Sequence, residues 1–322
     1  MEHIKLNNTD LLVSPLCLGT SQYGTGRTEE FSLRQLDAYR DRGGNFLDTA
    51  HVYGDWEPGQ TARSERLIGR WLKGKNRDKL VIMTKGAHPR LETMHIPRCK
   101  PGDIETDLDE SLACLGTDYI DMYLLHRDDV SVPAADILDC LEQARKKGKI
   151  RHYGCSNWTL ARIKEIQTLA LKSGVEGFTC NQIKWSLAEA NVENIADKSM
   201  VLMERETWAW HKSSGVNVTE YNSTAHGWFS KLYKGQTPPD KVRGLYENQT
   251  NDELFKIIRN ALKKYSLRVT DITLGYLMSQ PFTSVPVSSF SSEDQLEEGM
   301  RACGVKLPRD FVEELNRVKG LL

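Results

Sequence analysis

The feature that most limits the possible folds of this chain is a regular alternation of short apolar segments with longer amphipathic ones. The short segments favour strands and the longer ones have the periodicity of helices. The predicted strands cover 15–19, 45–48, 80–84, 119–125, 150–155, 178–183, 216–220 and 282–287. The predicted helices cover 29–42, 62–73, 103–115, 134–147, 159–172, 199–213, 252–265 and 292–302. Because parallel strands are joined by long crossovers, this alternation predicts a parallel α/β sheet.

Polar residues stand at the carboxyl ends of the predicted strands. They are Thr20, Asp48, Lys85, His126, Ser156, Asn157, Gln182, Tyr221 and Asn222. In a closed barrel these ends meet at one mouth, whereas in an open sheet they lie along a wide edge. The fingerprint of the open dinucleotide-binding sheet is absent, because Gly19, Gly24 and Gly26 do not have the GxGxxG spacing. We therefore predict a (β/α)8 TIM barrel in which residues 1–322 form a single domain.

Three segments fall outside the alternation. The apolar stretches 4–6 and 11–13 flank a turn-forming Asn-Asn-Thr-Asp cluster, which predicts an N-terminal β-hairpin cap. An extra C-terminal helix is predicted at 309–318. The region 222–250 has no clear strand or helix pattern, and its length predicts a functional loop.

Composition excludes several classes of function. The formal net charge is -1, so the chain lacks the basic surface that binding to nucleic acid requires. Its seven cysteines are scattered without a CxxC pair, which argues against disulfides and zinc and favours a reducing compartment. No leader peptide or membrane span is evident, so we expect a cytoplasmic protein. The histidines show no HExxH spacing, and no metal is expected.

Four side chains after the second, third and fourth predicted strands suggest acid–base chemistry. Tyr53 carries a phenol, whose ordinary pKa of about 10 is too high for efficient catalysis unless nearby positive charge stabilises the phenolate. Lys85 would supply that charge, and Asp48 would hold its ammonium beside the hydroxyl. His126 would orient a substrate oxygen or help to relay the proton.

The motifs around these residues resemble the aldo-keto reductase superfamily over essentially the full chain. They are DTAxxYG at 48–54, SExxxG at 64–69, TKG at 84–86, GxDYIDMYLLHRxD at 116–129, GKIRxxGCSN at 148–157 and NQI at 181–183. The resemblance implies a catalytic tetrad of Asp48, Tyr53, Lys85 and His126. Tyr53 would be the general acid in an NAD(P)H-dependent reduction that interconverts a carbonyl compound and an alcohol.

The resemblance also implies a cofactor site. Ser156, Asn157 and Gln182 would hold the nicotinamide carboxamide, and the ring of Tyr221 would stack on the nicotinamide. The remaining candidates for cofactor contacts are Thr20, Asp48, Asn222, Ser223, Lys231, Ser289, Ser291, Gln295 and Glu298.

Two stretches of the cofactor site depart from the family pattern. After the seventh strand the family usually has YSPLAxG, whereas residues 221–227 lack the proline. Near the C-terminus, residues 286–292 lack the basic residues that usually bind the adenosine 2′-phosphate. The resemblance therefore favours NADP(H) only modestly over NAD(H).

The substrate is not determined by the sequence. Trp56, Trp185 and Trp228 are candidates for the substrate pocket, and aromatic rings near Asp55, Asp128 and Asp129 would suit a sugar or polyol. A small carbonyl compound or a sugar is therefore the expected partner, and the oligomeric state stays open. Two alternatives remain: a nicotinamide-binding regulatory subunit resembling the potassium-channel beta subunits, and an enzyme that modifies sugars redox-neutrally with tightly bound NAD.

Overall fold

The structure is a computed structural model that describes residues 1–322. Eight parallel strands are ordered as a closed barrel, which confirms the predicted (β/α)8 fold. An antiparallel hairpin of β1 (Ile4–Lys5) and β2 (Leu12–Val13) precedes the barrel, as predicted. The barrel strands are β3 (Cys17–Gly19), β4 (Phe46–Asp48), β5 (Val81–Gly86), β6 (Ile120–Leu125), β7 (Ile150–Ser156), β8 (Cys180–Lys184), β9 (Asn217–Tyr221) and β10 (Ser284–Ser288).

Helices follow the strands as the alternation predicts, with additions. They are α1 (Glu29–Asp41), α2 (Arg63–Leu72), α3 (Pro101–Leu115), α4 (Ala134–Lys146), α5 (Leu160–Ser173), α6 (Arg205–Ser214), α7 (Trp228–Tyr233), α8 (Asp240–Tyr246), α9 (Gln249–Tyr265), α10 (Val269–Met278), α11 (Glu293–Ala302) and α12 (Arg309–Val318). The last of these is the predicted C-terminal helix. None of the helices has the length and apolarity that a membrane span requires.

The chain divides into two compact units, Glu2–Gln182 and Ile183–Leu322, the second of which includes Met1. Whether residues 1–322 form a single domain stays a prediction.

In the unit Glu2–Gln182, every residue of β5 and β6 is buried, as expected for parallel strands covered on both faces. The helix starts are also specified locally: the Thr159 hydroxyl accepts from the N–H of Arg162 and caps α5. Close packing requires a glycine at position 86, because a Cβ at Gly86 would overlap the hydroxyl of Tyr123. The contact with Tyr123 lies at the carboxyl end of β5.

In the unit Ile183–Leu322, three helices were not predicted. The helix α10 is buried on nearly all sides, so its sequence has no polar stripe to reveal a helical period. The helices α7 and α8 lie in the region 222–250 and have six and seven residues, too few to give a periodic signal. The prediction of a patternless loop over 222–250 was therefore wrong for these two segments.

Candidate active site

The four residues of the predicted tetrad lie on neighbouring strands of the unit Glu2–Gln182. Asp48 ends β4, Lys85 is the penultimate residue of β5, and His126 follows β6 directly. Tyr53 lies in the turn that follows β4. Because β4, β5 and β6 pair in parallel, their carboxyl ends bring these side chains together.

The Lys85 ammonium is the centre of this group. Its Nζ donates to Oδ1 of Asp48 at 2.7 Å, to the carbonyl of Thr49 at 2.7 Å and to the hydroxyl of Tyr53 at 3.2 Å. Lys85 is 0% and Asp48 2% exposed. Burial lowers the pKa of Lys85, but Asp48 and Tyr53 outweigh that effect and the pKa lies above its ordinary value. The lysine therefore stays charged beside the phenol.

Tyr53 is only partly buried, in contrast to Lys85. Removal from water raises the pKa of its phenol, and the neighbouring Lys85 lowers it by less, so the net shift is upward. The sequence analysis expected the lysine to stabilise the phenolate. Lys85 does act in that direction, but burial prevails, and Tyr53 is a protonated donor at neutral pH.

His126 is held neutral. Burial lowers the pKa of its imidazole far below the ordinary value, and His88, Arg127 and Lys85 lower it further. Its Nδ1 is buried without a hydrogen-bond partner. An N–H at this position would be left unsatisfied, which favours the tautomer that carries its proton on Nε2. The ring lies edge-on to Tyr53, with 5.9 Å between the ring centroids.

The residues predicted to hold a nicotinamide carboxamide are buried polar groups at the ends of β7 and β8. Gln182 Nε2 donates to Oδ1 of Asp48 at 2.8 Å, which connects it to the tetrad. Asn157 has a left-handed backbone with φ of 61° and donates from Nδ2 to Oγ of Ser156 at 3.0 Å. The hydroxyl of Thr20 donates to the carbonyl of Asp48 at 2.8 Å, so it is used within the fold.

In the unit Ile183–Leu322, Tyr221 ends β9 with a half-buried ring. The three polar candidates that follow it are bonded within this unit. Asn222 Nδ2 donates to the hydroxyl of Tyr246 at 2.5 Å, Ser223 Oγ to the carbonyl of Val287 at 2.8 Å, and Lys231 Nζ to the carbonyl of His226 at 2.5 Å.

The candidates for the adenosine end surround the start of α11. Ser289 and Ser291 are exposed, and the N–H of Ser291 donates to Oε1 of Gln295 at 2.8 Å. Glu298 accepts from the hydroxyl of Thr270 at 3.2 Å.

Comparisons with known proteins identify the family of the chain. The model of the Aldo/keto reductase family matches residues 15–319. The chain belongs to the aldo/keto reductase family. It is 27% identical to the uncharacterized oxidoreductase YrpG of Bacillus subtilis, over 99% of this chain and 96% of that one. It is 25% identical to the aryl-alcohol dehydrogenase GME11368 of Pestalotiopsis microspora, over 95% of this chain and 78% of the relative.

A third relative and a solved structure extend the comparison. The norsolorinic acid reductase stcV of Emericella nidulans is 26% identical, over 94% of this chain and 77% of the relative. The crystal structure of the thermostable aldo-keto reductase Tm1743 matches with a TM-score of 0.72 and 21% identity, over 99% of this chain and 100% of that one. At that identity the likeness concerns the fold.

The three tryptophans predicted to line a substrate pocket differ in their surroundings. Trp56 is 44% exposed, and its ring lies 6.3 Å from that of Tyr53. Trp185 and Trp228 are 4% and 3% exposed and belong to the hydrophobic core of the unit Ile183–Leu322. Within the unit Glu2–Gln182, Trp56 therefore lies beside a residue of the tetrad.

The sequence analysis did not identify several chemically distinctive residues of this aldo-keto reductase. His88 contacts His126, Glu220 is fully buried, and Lys184 is a half-buried lysine without an ion pair. The signal for Lys184 and Glu220 was their place near the ends of β8 and β9, and for His88 its place three residues after Lys85. Burial and ring contacts were not readable from the pattern.

Proposed function

We propose that this protein is an NAD(P)H-dependent carbonyl reductase, in which Tyr53 is the general acid in reduction and the general base in alcohol oxidation. The observation that carries the proposal is the buried Lys85 ammonium, which donates to both Asp48 and Tyr53. An ion pair that only stabilised the fold would need no phenol beside its ammonium. A proton donor that must become an anion during the reaction does need a cation beside it.

The proton balance follows from these contacts. When bound, the reduced nicotinamide supplies the hydride that the carbonyl carbon accepts. Tyr53 gives its proton to the carbonyl oxygen, which becomes the alcohol hydroxyl, and the resulting phenolate lies 3.2 Å from the ammonium of Lys85. Asp48 keeps that ammonium charged. Solvent then returns a proton to Tyr53.

His126 is proposed as the second donor to the carbonyl oxygen. Because its imidazole is neutral, it donates an Nε2–H hydrogen bond without bringing a further positive charge next to Lys85. A cationic imidazole would compete with Tyr53 as the acid. The neutral ring instead orients the oxygen toward the phenol.

The donor set of the chain fits a nicotinamide. A carboxamide needs both donors and acceptors, and the buried hydroxyl of Ser156 with the side-chain amides of Asn157 and Gln182 offers both. We assign the carboxamide to these three groups and the covering of the ring to Tyr221. Asn222, Ser223, Lys231, Ser289, Ser291, Gln295 and Glu298 are proposed to hold the remainder of the dinucleotide, with Thr20 and Asp48 supporting the nicotinamide end.

NADP(H) is proposed as the cofactor, with a modest preference over NAD(H). Members of the family generally use NADP(H). In this chain the only basic residue between 284 and 302 is Arg301, whose guanidinium contacts the buried Asp271 at 2.7 Å. A 2′-phosphate would therefore depend on hydroxyl and amide donors. Fluorescence titration with NADPH and NADH measures the preference, and equal dissociation constants would contradict it.

Aldehydes and ketones are proposed as substrates in preference to sugars. The three carboxylates that would favour a polyol are already bonded to protein groups. Asp55 accepts from Ala62 N–H at 2.8 Å, Asp129 accepts from Ser131 N–H at 3.0 Å, and Asp128 lies 3.4 Å from Arg162. The exposed ring of Trp56 remains as an apolar surface beside Tyr53. Two relatives carry names that refer to aryl alcohols and to norsolorinic acid.

Substitution of Tyr53→Phe tests the proposal. It removes one hydroxyl, and we expect kcat/KM for carbonyl reduction to fall by about 10²- to 10⁴-fold, because general acid catalysis is lost. Oxidation of NADPH and NADH is followed against a panel of aromatic and aliphatic carbonyl compounds. Tyr233→Phe, at a tyrosine that is 56% exposed, is the matched control and should leave the rate unchanged. Undiminished turnover by the Tyr53 variant would refute the assignment.

A cytoplasmic location is proposed from the cysteines. All seven are free thiols, and five of them are buried. Such a set suits a reducing compartment. Fractionation of cells with an antibody against the native protein tests this location, and recovery outside the cytoplasm would contradict it.

A further inference from the structure

His88 is a second imidazole in direct contact with His126. It lies three residues after Lys85, just beyond β5, and is half-buried. The two imidazole rings meet edge to face, with centroids 4.7 Å apart and an interplanar angle of 65°. The ring of His126 thus contacts both Tyr53 and His88, and His88 is the nearer of the two.

The backbone around His88 is fixed by a partly buried ion pair. The guanidinium of Arg98 donates to Oδ1 of Asp107 at 2.7 Å and to its Oδ2 at 3.0 Å. The same guanidinium donates to the carbonyl of His88 at 3.2 Å. Asp107 in turn accepts from the N–H of Ala87 at 2.8 Å. The backbone is therefore anchored at the N–H of Ala87 and at the carbonyl of His88, which specifies the place of His88 beside His126.

The His126 side chain has no comparable anchor of its own. Its Nδ1 is buried without a partner, so no carboxylate or carbonyl holds the ring through this nitrogen. Only packing against neighbouring rings is left to orient the imidazole. The ring of His88 is the nearer of the two rings that contact it, with centroids 4.7 Å apart against 5.9 Å for Tyr53.

We propose that His88 is a positioning residue that fixes the orientation of the His126 imidazole and excludes water from it. In this way His88 maintains His126 as a neutral donor. The catalytic part of this inference rests on the proposed function. His88 acts through His126 and is not itself assigned a contact with substrate.

The electrostatics around His126 are consistent with this role. The groups that face it are His88, Arg127, Lys85 and the phenol of Tyr53, and the first three disfavour its protonation. None of these neighbours is a carboxylate. Loss of the His88 ring would admit water and remove one of the three, and both changes would make the imidazolium easier to form.

Two substitutions separate packing from charge. His88→Ala removes the ring and opens the site, whereas His88→Phe keeps a ring of similar shape without nitrogen atoms. His95→Ala is the matched control, because His95 is an exposed histidine of the same loop. We expect kcat to fall about tenfold in the alanine variant with little change in KM, and to return to within about threefold of the wild type in the phenylalanine variant.

The decisive measurement does not depend on turnover. In protein labelled with ¹⁵N-histidine, the ring nitrogens of His126 report its tautomer and its titration, with assignment by a His126→Asn variant. We expect the titration of His126 to move to higher pH in the order wild type, His88→Phe, His88→Ala, and the acid limb of the kcat/KM profile to move with it. His95→Ala should change neither.

The outcomes distinguish the two proposals. Absence of carbonyl reduction by the wild-type protein would refute the proposed function, whereas the His126 spectra would still test the contact. Spectra and pH profiles of His88→Ala that coincide with those of the wild type would overturn the role of His88. Unchanged binding of NADPH in the fluorescence titration is expected for every variant, since His88 is not assigned to the cofactor.

Discussion

Two buried ionisable side chains in this molecule have opposite surroundings. In the unit Glu2–Gln182, the fully buried Lys85 contacts Asp48 at 2.7 Å, and the ammonium is maintained. In the unit Ile183–Leu322, Glu220 of β9 is equally buried but has no cationic partner. One of its oxygens accepts from the hydroxyl of Ser284 and the other has no partner, and burial raises its pKa to about 8.

The comparison shows what a partner contributes at the same depth. Removing a charge from water costs several kcal/mol, which an opposite charge with good geometry offsets and a single hydroxyl does not. Lys85 therefore remains an ion that can stabilise a phenolate, while Glu220 takes a proton and becomes neutral. Only the compensated group is available for electrostatic catalysis.

Breaking the pair has the largest expected effect. Lys85→Met leaves the Asp48 carboxylate buried without its cation, and we expect the free energy of unfolding to fall by about 3 to 5 kcal/mol. We also expect kcat/KM to fall by at least about 10²-fold, because Tyr53 loses the cation beside its phenolate. Urea unfolding and steady-state kinetics measure the two losses.

A double variant separates those losses. Asp48→Asn combined with Lys85→Met removes both charges and should recover most of the stability without recovering the activity. If the Lys85→Met variant is as stable as the wild type, Lys85 does not compensate the buried charge of Asp48.

Glu220 should make stability depend on pH. Its carboxyl has an ordinary pKa of 4.5 and a pKa of about 8 in the folded protein. Between these values the unfolded chain releases a proton that the folded protein keeps, so the free energy of unfolding falls as the pH rises through this window. The expected loss is on the order of 4 kcal/mol at the upper end.

Glu220→Gln should remove that dependence. The variant is expected to match the wild type near pH 5 and to exceed its stability near pH 8.5, as measured by urea unfolding across the range. Glu297→Gln, at an exposed glutamate, is the control for loss of a negative charge. Parallel stability curves for wild type and Glu220→Gln would show that the buried carboxyl does not titrate in this way.

The sequence predicted these two regions unequally. The alternation of strands and helices located Asp48, Lys85 and His126, because in a barrel the residue after a strand must lie at the mouth. The burial of residues that do not directly follow a strand could not be predicted from this rule. Trp185 and Trp228 were predicted to line a pocket from their place near loops, and their burial in the hydrophobic core of the unit Ile183–Leu322 was not part of that prediction. The helix α10 was not predicted because a helix that is buried on nearly all sides shows no periodic alternation of polar and apolar residues.

The smallest expected effect concerns Lys184, which ends β8. It shares its residue type with Lys85 and the lack of an oppositely charged partner with Glu220. It is a lysine like Lys85, but no carboxylate contacts it, and burial lowers its pKa to about 8. Its Nζ lies 5.8 Å from the ring of Tyr221, a weak compensation at that distance. Below pH 8 the folded protein carries an ammonium that would be better solvated in the unfolded chain. Lys184→Met should therefore raise the free energy of unfolding at pH 7.

The gain from Lys184→Met should be about 1 kcal/mol, because the side chain is only half-buried and water screens part of the cost. Between pH 8 and 10.5 the folded lysine loses its proton before the unfolded one, so the wild type becomes relatively more stable and the gain should shrink. Urea unfolding at pH 7 and pH 10 measures both parts, with Lys256→Met on the exposed side of α9 as the control. A loss of stability at pH 7 would mean that Lys184 is compensated by its surroundings, and that a direct carboxylate partner is not what distinguishes Lys85.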